Sequence, residues 1–205
     1  MDAVLAKRSS AAWLLKNSQF EPDRKYLGMS GISKCPLRLF RECFLGRRAE
    51  INEQTARNCY RGYLFEWDAH ERLAAAGIYR PGSEKLVVAP FDGRFRGHTD
   101  GETVDGDLLE IKSTNSEIFA RIIHTHRPAP EHFDQVQMYM RYGPYRHALI
   151  AYINTETFSE FFAEVNPSPD HQAVLEAKAR SILTAIDGGD QPACTCGRCF
   201  QSKGA

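Results

Sequence analysis

The sequence predicts a mixed α/β fold, a central mixed β-sheet flanked by helices, and three observations carry that prediction. Apolar residues recur at three- and four-residue spacing through the first eighty positions, the period of helices. From Lys85 the texture changes to short alternating or β-branched runs separated by turn residues, the signature of strands. The chain has 205 residues and is 42% hydrophobic, enough for one substantial core and short for two ordinary domains. A single domain over residues 1–205 is therefore expected. It has a helical part over about 1–80, a sheet-bearing core over about 81–187, and a cysteine-bearing tail over 188–205 that packs back on the N-terminal part.

Helices are expected over Ala3 to Asn17, Pro36 to Leu45 and about Ala49 to Ala76, with proline, glycine and aspartate punctuating them. The runs Lys85 to Pro90, Arg94 to Val104 and Asp107 to Thr114 read as a three-stranded antiparallel meander. A helix over Glu117 to Thr125 follows, then a break at Arg127-Pro128-Ala129-Pro130 and a helix from Glu131 to about Tyr142. His147 to Thr155 and Thr157 to Val165 are rich in β-branched and aromatic residues and read as strands. Ser168-Pro169-Asp170 opens an amphipathic helix to about Ile186, which Gly188-Gly189 ends. The chain contains no internal repeat.

Charge and cysteine usage narrow the function classes. Lys and Arg total 26, as do Asp and Glu, so no global field announces a nucleic-acid partner and any DNA-binding surface must be local. No apolar run reaches membrane-spanning length, and the stretch from Ala11 to Leu15 is too short for a signal-peptide core, so a soluble, cytoplasmic protein without a membrane partner is expected. In that compartment the six cysteines are not three disulfides. Cys194, Cys196 and Cys199 crowd into a tail without a core pattern, where thiolates are soft ligands for an iron-sulfur cluster or for zinc. Both normally take four ligands, so a fourth must come from elsewhere.

The richest stretch runs from Gly97 to Thr114. Strand alternation puts Glu110 and Lys112 on one face and turns Ile111 to the other, where it can enter a core. A three-residue loop of Val104, Asp105 and Gly106 would set Thr103 opposite Asp107 and Asp100 opposite Glu110. A two-residue Asp105-Gly106 turn would pair Gly101 with Glu110 and send Asp100 to the other face. Charges on a solvated polar hairpin are the bland alternative for such a spacing. A calcium loop counted from Asp100 is excluded, because Asp105 stands where the obligatory glycine belongs. Elsewhere Gln135 and Tyr139 lie one helical turn apart, and Gly62-Tyr63-Leu64-Phe65-Glu66 offers Glu66 as a further inward carboxylate.

In order, G-x3-E, D-x9-E-x-K and Q-x3-Y resemble the PD-(D/E)xK nuclease superfamily, in its RecB-like and phage-exonuclease-like branch. The resemblance implies a restriction-endonuclease-like core. It implies that Asp100 and Glu110 ligate Mg2+ or Mn2+, that Glu66 supports the metal, and that the metal site comprises Glu66, Asp100, Glu110 and Ile111. Lys112 serves the attacking water, and Gln135 and Tyr139 position the DNA backbone or the lysine. Those residue types suit the chemistry, since phosphodiester hydrolysis needs a hard cation held by oxygens, an activated water and a cation near the charged phosphorane. The cysteine layout is similar to that of the iron-sulfur branch, which includes AddB and the CRISPR-associated adaptation nucleases. There, one early cysteine, here Cys35, joins three late ones, here Cys194, Cys196 and Cys199, around a 4Fe-4S cluster.

Two departures stand out. The C-x-C-x2-C spacing is tighter than that branch carries, which leaves zinc as the alternative at the cysteines, and Glu66 stands where many iron-sulfur members carry histidine, with His70 one turn further on. The expected function is a DNA exonuclease of replication, recombination, repair or phage DNA processing, with DNA as partner and a recombination or replication complex as its protein setting. An endonuclease of the same superfamily and a non-catalytic nucleic-acid-binding module with a zinc knot are the alternatives. Cys43 and Cys59 read as small buried hydrophobes, and Phe65 and Trp67 as core. Lys34, Arg38, Arg41, Arg47 and Arg48 read as a phosphate-contacting edge or a solvated helical face, and His124, His126 and His132 as a polar loop in preference to a zinc site.

Overall fold

The segment Leu-Leu-Glu-Ile-Lys-Ser-Thr, residues 108–114, forms a strand that the rest of the protein encloses on both faces. In a computed structural model, residues 13–14, 16–17, 25–44, 53–197 and 199 are described. Among them the strands are β1 (Leu27–Gly28), β2 (Tyr79–Arg80), β3 (Leu86–Val88), β4 (Phe95–His98), β5 (Gly101–Thr103), β6 (Leu108–Thr114), β7 (Ala148–Asn154) and β8 (Glu160–Val165). The helices are α1 (Pro36–Cys43), α2 (Glu53–Ala75), α3 (Ser116–Thr125), α4 (Pro130–Tyr142) and α5 (Pro169–Asp187). Five strands make the larger sheet in the order β2-β5-β6-β7-β8, and three make the smaller in the order β1-β4-β3. The larger sheet is mixed: β6 and β7 run parallel, and its other pairs are antiparallel.

Parallel neighbours need a crossover, and α3 and α4 supply it between β6 and β7. Asn115 caps α3 by accepting a hydrogen bond from the Ile118 main-chain N–H at 2.9 Å. Proline opens both α4 and α5, where its missing N–H leaves no helical partner unsatisfied. The alternating faces of β6 divide the interior in two. Leu109 and Ile111 join Ala151 and Ile153 of β7 against Ala69 and Leu73 of α2. Leu108 and β7's Ile150 and Tyr152 face the opposite way, with Val136, Met138 and Tyr139 of α4 and Leu175, Ala179 and Ile182 of α5. Glu110 and Lys112 have the parity of Leu108 and look to this second side.

The expected fold class holds, with helices on both faces of a mixed sheet, and the later elements fall within a few residues of their expected bounds. The meander is corrected. Arg94 to Val104 is two strands, not one: Phe95–His98 pairs with β3 and β1 in the smaller sheet, and Gly101–Thr103 pairs with β2 and β6 in the larger. The chain changes sheets at Thr99-Asp100, helped by Gly101, whose φ of 146° a side-chain-bearing residue rarely adopts. Trp67 is corrected too. It is 57% exposed, on the face of α2 that carries Tyr60 and Tyr63, whereas Phe65 is partly buried against the α2-side core as expected. Cys43 is buried and Cys59 half-buried. Most of the expected helix from Ala3 to Asn17, together with Arg47 and Arg48, lies outside the described residues. No helix among the described residues is long and apolar enough to cross a membrane.

Core and surface respond differently to truncation. Ile150 in β7 is 0% exposed and Val174 in α5 is 64% exposed. Ile150→Ala is expected to lower the unfolding free energy by about 2–5 kcal/mol, read from urea unfolding followed by circular dichroism. Val174→Ala is expected to change it by less than about 0.5 kcal/mol, and equal responses would contradict the placement of the two side chains.

Candidate active site

The β5–β6 hairpin sets the first contact of the site. Gly101 pairs with Leu109 and Glu102 with Leu108, and Thr103 N–H donates to the Asp107 carbonyl at 2.8 Å across the Val104-Asp105-Gly106 loop. This is the register of the three-residue loop, and extending it places Asp100 opposite Glu110. Asp100 bends toward β6, and its Oδ2 accepts from Ile111 N–H at 2.8 Å. The Ile111 carbonyl leaves the same edge of the strand as that N–H, beyond the point where β5 ends. The side chain of Ile111 points away, into the core under α2. His70 of α2 holds Asp100 from behind: its Nε2 lies 2.7 Å from the Asp100 carbonyl, which can only accept, so that nitrogen carries the proton. The ring is itself stacked on Tyr79 at 4.4 Å.

Glu110 lies at the centre, its side chain 0% exposed. Its Oε1 accepts from the Lys112 ammonium and, at 2.6 Å, from Gln135 Nε2 of α4. Gln135 also reaches the Tyr139 hydroxyl at 3.3 Å, and that hydroxyl donates to the His98 carbonyl of β4 at 2.6 Å. Gln135 and Tyr139 thus face inward from one helical turn and tie the larger sheet to the smaller. Gly97 permits this, since a Cβ there would meet the Tyr139 ring at 2.8 Å. Glu66 comes from α2, on the other side of the sheet, yet its carboxyl feels both Asp100 and Lys112. All six sequence-predicted polar residues are therefore gathered into one neighbourhood.

The electrostatics follow from crowding acids in a poorly solvated place. Burial, and after it the Asp100 carboxylate, raises Glu66 from 4.5 to about 7 against the pull of Lys112. Burial and Asp100 likewise raise Glu110 from 4.5 to about 8, again against Lys112. Burial works to lower Lys112, but Glu110, Asp100 and Glu66 outweigh it and hold the ammonium above its ordinary range. One atom stays unanswered, because Glu110 Oε2 is buried with no hydrogen-bond partner among the described residues. The orphaned oxygen of Glu110 and the Asp100 carboxylate that raises it are oxygen donors of the kind a hard cation such as Mg2+ or Mn2+ takes, and Glu66 feels Asp100 in turn.

A groove opens on the Lys112 side, lined among others by Ser33, Lys34, Arg38, Lys112, His132 and Gln135. Lys34 and Arg38 both pair with Glu42, so they are neither a bare phosphate edge nor a purely solvated face. Burial, then the charge of Lys112, pushes His132 down to about 3, so its ring is neutral. Its Nδ1 lies 3.0 Å from the Tyr152 hydroxyl, which accepts from Ala129 N–H. Neither Ser33 nor the role of His132 could be read beforehand, because residues 27–34 carry no periodic pattern and His132 stands beside a proline break. A second depression, lined by Asp105, His147 and Asn166 among others, lies away from these carboxylates.

The cysteines expected to act together do meet. Cys35 is the residue before α1, and its sulfur lies with those of Cys194, Cys196 and Cys199 within 4.8 Å of one another, a group able to hold a metal. Burial works to raise Cys35, but hydrogen bonds from the Thr195 and Arg38 main chain and from the neighbouring thiols bring it down to about 5. Cys199 is pushed up to about 12, first by its hydrogen bond with Cys196.

The fold is similar to that of an alkaline exonuclease, LHK-Exo, from Laribacter hongkongensis, with a TM-score of 0.65, 17% identity, and coverage of 87% of this chain and 93% of that one. LHK-Exo in complex with dAMP gives 0.63 at 18% identity, covering 89% of this chain and 93% of that chain. A protein named SSO0001 gives 0.60 at 15%, covering 98% and 93%. No family model and no curated protein matches the sequence. At these identities the likeness establishes a shared fold.

The raised acids make a pH prediction. A carboxyl whose folded value exceeds its unfolded one binds its proton more tightly when folded, so its contribution is full below about 4.5 and is lost as pH rises through about 7 for Glu66 and about 8 for Glu110. Without added divalent metal, Tm of the wild type is expected to fall over that window relative to Glu110→Gln, which keeps the shape and removes the charge. Thermal unfolding of both chains across the window checks this, and parallel profiles would mean that Glu110 is ionised throughout.

Proposed function

We propose that this chain is a divalent-metal-dependent deoxyribonuclease of the PD-(D/E)xK superfamily, RecB-like and phage-exonuclease-like in its motifs, that hydrolyses phosphodiester bonds at DNA ends. The observation that carries the reading is the buried Glu110 carboxylate with one oxygen unanswered, beside Asp100 and Lys112. A solvated polar hairpin would have no use for a carboxylate hidden among other acids, because taking a carboxylate out of water costs several kcal/mol and Lys112 answers only one of its oxygens. The likeness in fold to a protein named as an alkaline exonuclease adds support and favours end-directed cleavage over internal cutting. In this reading the 205 residues work as one nuclease domain. It acts in the cytoplasm on DNA, in the setting of a recombination or replication complex.

The roles follow from the geometry. A Mg2+ or Mn2+ ion held by Asp100, Glu110, Glu66 and the Ile111 carbonyl would supply a Lewis acid for the phosphate and a water of lowered pKa. Lys112, held protonated by its acidic neighbours, is poorly suited to be a base. It orients the attacking water and answers the charge that builds on the phosphorane oxygens. Gln135 fixes Glu110 by its Oε1 and so leaves Oε2 free to hold an ion, while Tyr139 fixes Gln135 against β4. His70 fixes the Asp100 main chain. Lys34, Arg38 and Lys112 are the cations that line the groove, beside Glu131 and Asp134, and they are where a phosphate backbone would find positive partners.

End-labelled linear DNA is expected to be degraded in Mg2+ or Mn2+ and left intact without them, while covalently closed circular DNA survives. Linearisation of the circle would instead make the enzyme an endonuclease. Asp100→Ala, Glu110→Gln and Lys112→Ala are each expected to lower the rate by at least about a hundredfold with unchanged circular dichroism. Near wild-type cleavage by any of them would remove that residue from the chemistry.

A further inference from the structure

The four clustered cysteines raise a separate question, because the layout in sequence points to a 4Fe-4S cluster and the distances do not. Neighbouring sulfurs lie 3.9 Å apart for Cys35 and Cys194, 3.7 Å for Cys194 and Cys196, 3.4 Å for Cys196 and Cys199, and 3.5 Å for Cys199 and Cys35. No pair exceeds 4.8 Å. Four thiolates at about 2.3 Å from one zinc ion stand at the corners of a tetrahedron whose edges are about 3.8 Å. A four-iron cluster puts each thiolate on a different iron, pointing outward from a cube of metal and sulfide, so its thiolates are held apart by the whole cube. Sulfurs in mutual contact leave space for a single ion.

We propose that Cys35, Cys194, Cys196 and Cys199 hold one zinc(II) ion in a tetrahedral tetrathiolate site, in place of an iron-sulfur cluster. The chain around the cysteines agrees. Three of the thiolates come from the six residues 194–199, and their sulfurs converge with that of Cys35 within 4.8 Å. Gly197, at φ 66°, makes the left-handed turn between Cys196 and Cys199 that brings two ligands of a C-x2-C pair to the same metal. Cys196 is exposed and the other three are half-buried, so the centre lies at the surface. A redox-inert ion suits a surface site better than iron open to water and oxygen. Four thiolates leave a zinc site with net negative charge, and the Arg41 guanidinium lies against it, donating to the Cys199 carbonyl at 3.1 Å. The ion would clasp residues 194–199 to the start of α1, across 159 positions between Cys35 and Cys194. That is a structural staple at the base of the helix carrying the groove residue Arg38.

The test is metal content, read independently of DNA cleavage, so that its failure and that of the nuclease reading stay distinct. The full-length chain, purified without oxygen from medium containing both iron and zinc, is expected to be colourless and to carry one zinc per chain and no acid-labile sulfide. A brown protein with about four irons and four sulfides per chain would overturn the proposal, and so would a single iron without sulfide. Cys196→Ser, at the exposed ligand, is expected to drop zinc well below one per chain, and full retention would remove Cys196 from the site. Should that variant fail to fold, cobalt(II) exchanged into the wild type decides. Strong visible ligand-field bands of tetrahedral thiolate coordination are expected, and the weak absorption of six-coordinate cobalt would refute the site.

Discussion

Glu110 lies in the middle of the larger sheet, fully buried, with one oxygen bonded to Lys112 and Gln135 and the other bonded to nothing among the described residues. A carboxylate so placed costs several kcal/mol unless opposite charge answers it, and Lys112 answers only one side. The rest of the site is arranged around that deficit. Asp100 and Glu66 bring more acid to the same place rather than less, which would worsen the deficit in a purely structural cluster. Acids gathered where they repel one another are stable only with their protons retained or with a cation among them, and the raised titration of both glutamates is the first of those two states.

The same strand that presents Glu110 also closes the two cores, so the site cannot move independently of the fold. Leu109 and Ile111 point under α2 while Leu108 points under α4 and α5. A one-residue slip of β6 would put Glu110 into an apolar core and a leucine into the acid cluster. The connection from Glu110 through Gln135 and Tyr139 to the His98 carbonyl crosses from the larger sheet to the smaller at the point where the chain itself changes sheets. Asp100 is on that crossing, and its main chain is held by His70. The position of the second carboxylate is thus fixed by the seam between two sheets, and not by either sheet alone.

What could be read from the sequence, and what could not, divides along the same seam. The register of the hairpin was legible because Gly106 and the loop length leave few geometries for Thr103 and Asp107, and Gln135 and Tyr139 were legible because a helix repeats reliably every turn. The break at Thr99-Asp100 was not. Phe95, Gly97, Thr99 and Gly101 are all buried in strict alternation, so the pattern runs straight through the place where the chain leaves one sheet for the other. Pairing partners decide such a break, and these are remote: β1, which pairs beside β4, has only two residues and no periodicity of its own. Trp67 misled for a different reason. Its residue type suggests a core, but it is 57% exposed, beside the half-buried Tyr60 and Tyr63 on one face of α2.

Under the proposed readings the chain asks for two metals of opposite character, and its ligands separate them. Zinc binds most mixed nitrogen, oxygen and sulfur sites more tightly than magnesium or manganese, so affinity alone would fill both places with zinc. The acid cluster offers only oxygens, with a lysine close enough to oppose any excess of positive charge, and it lies between the sheets' interior and the groove. The cysteine site offers only sulfur and lies at the surface, where Cys35 leads into α1. Arg38 of α1 and Lys34 just before it line the groove with Lys112, so the soft site would set the position of the groove's basic wall and the hard site its chemistry. Loss of the metal at the cysteines would then act on how a phosphate backbone is held, through α1, and leave the hydrogen bonds of Glu110 in place, because its partners Lys112 and Gln135 stand on β6 and α4.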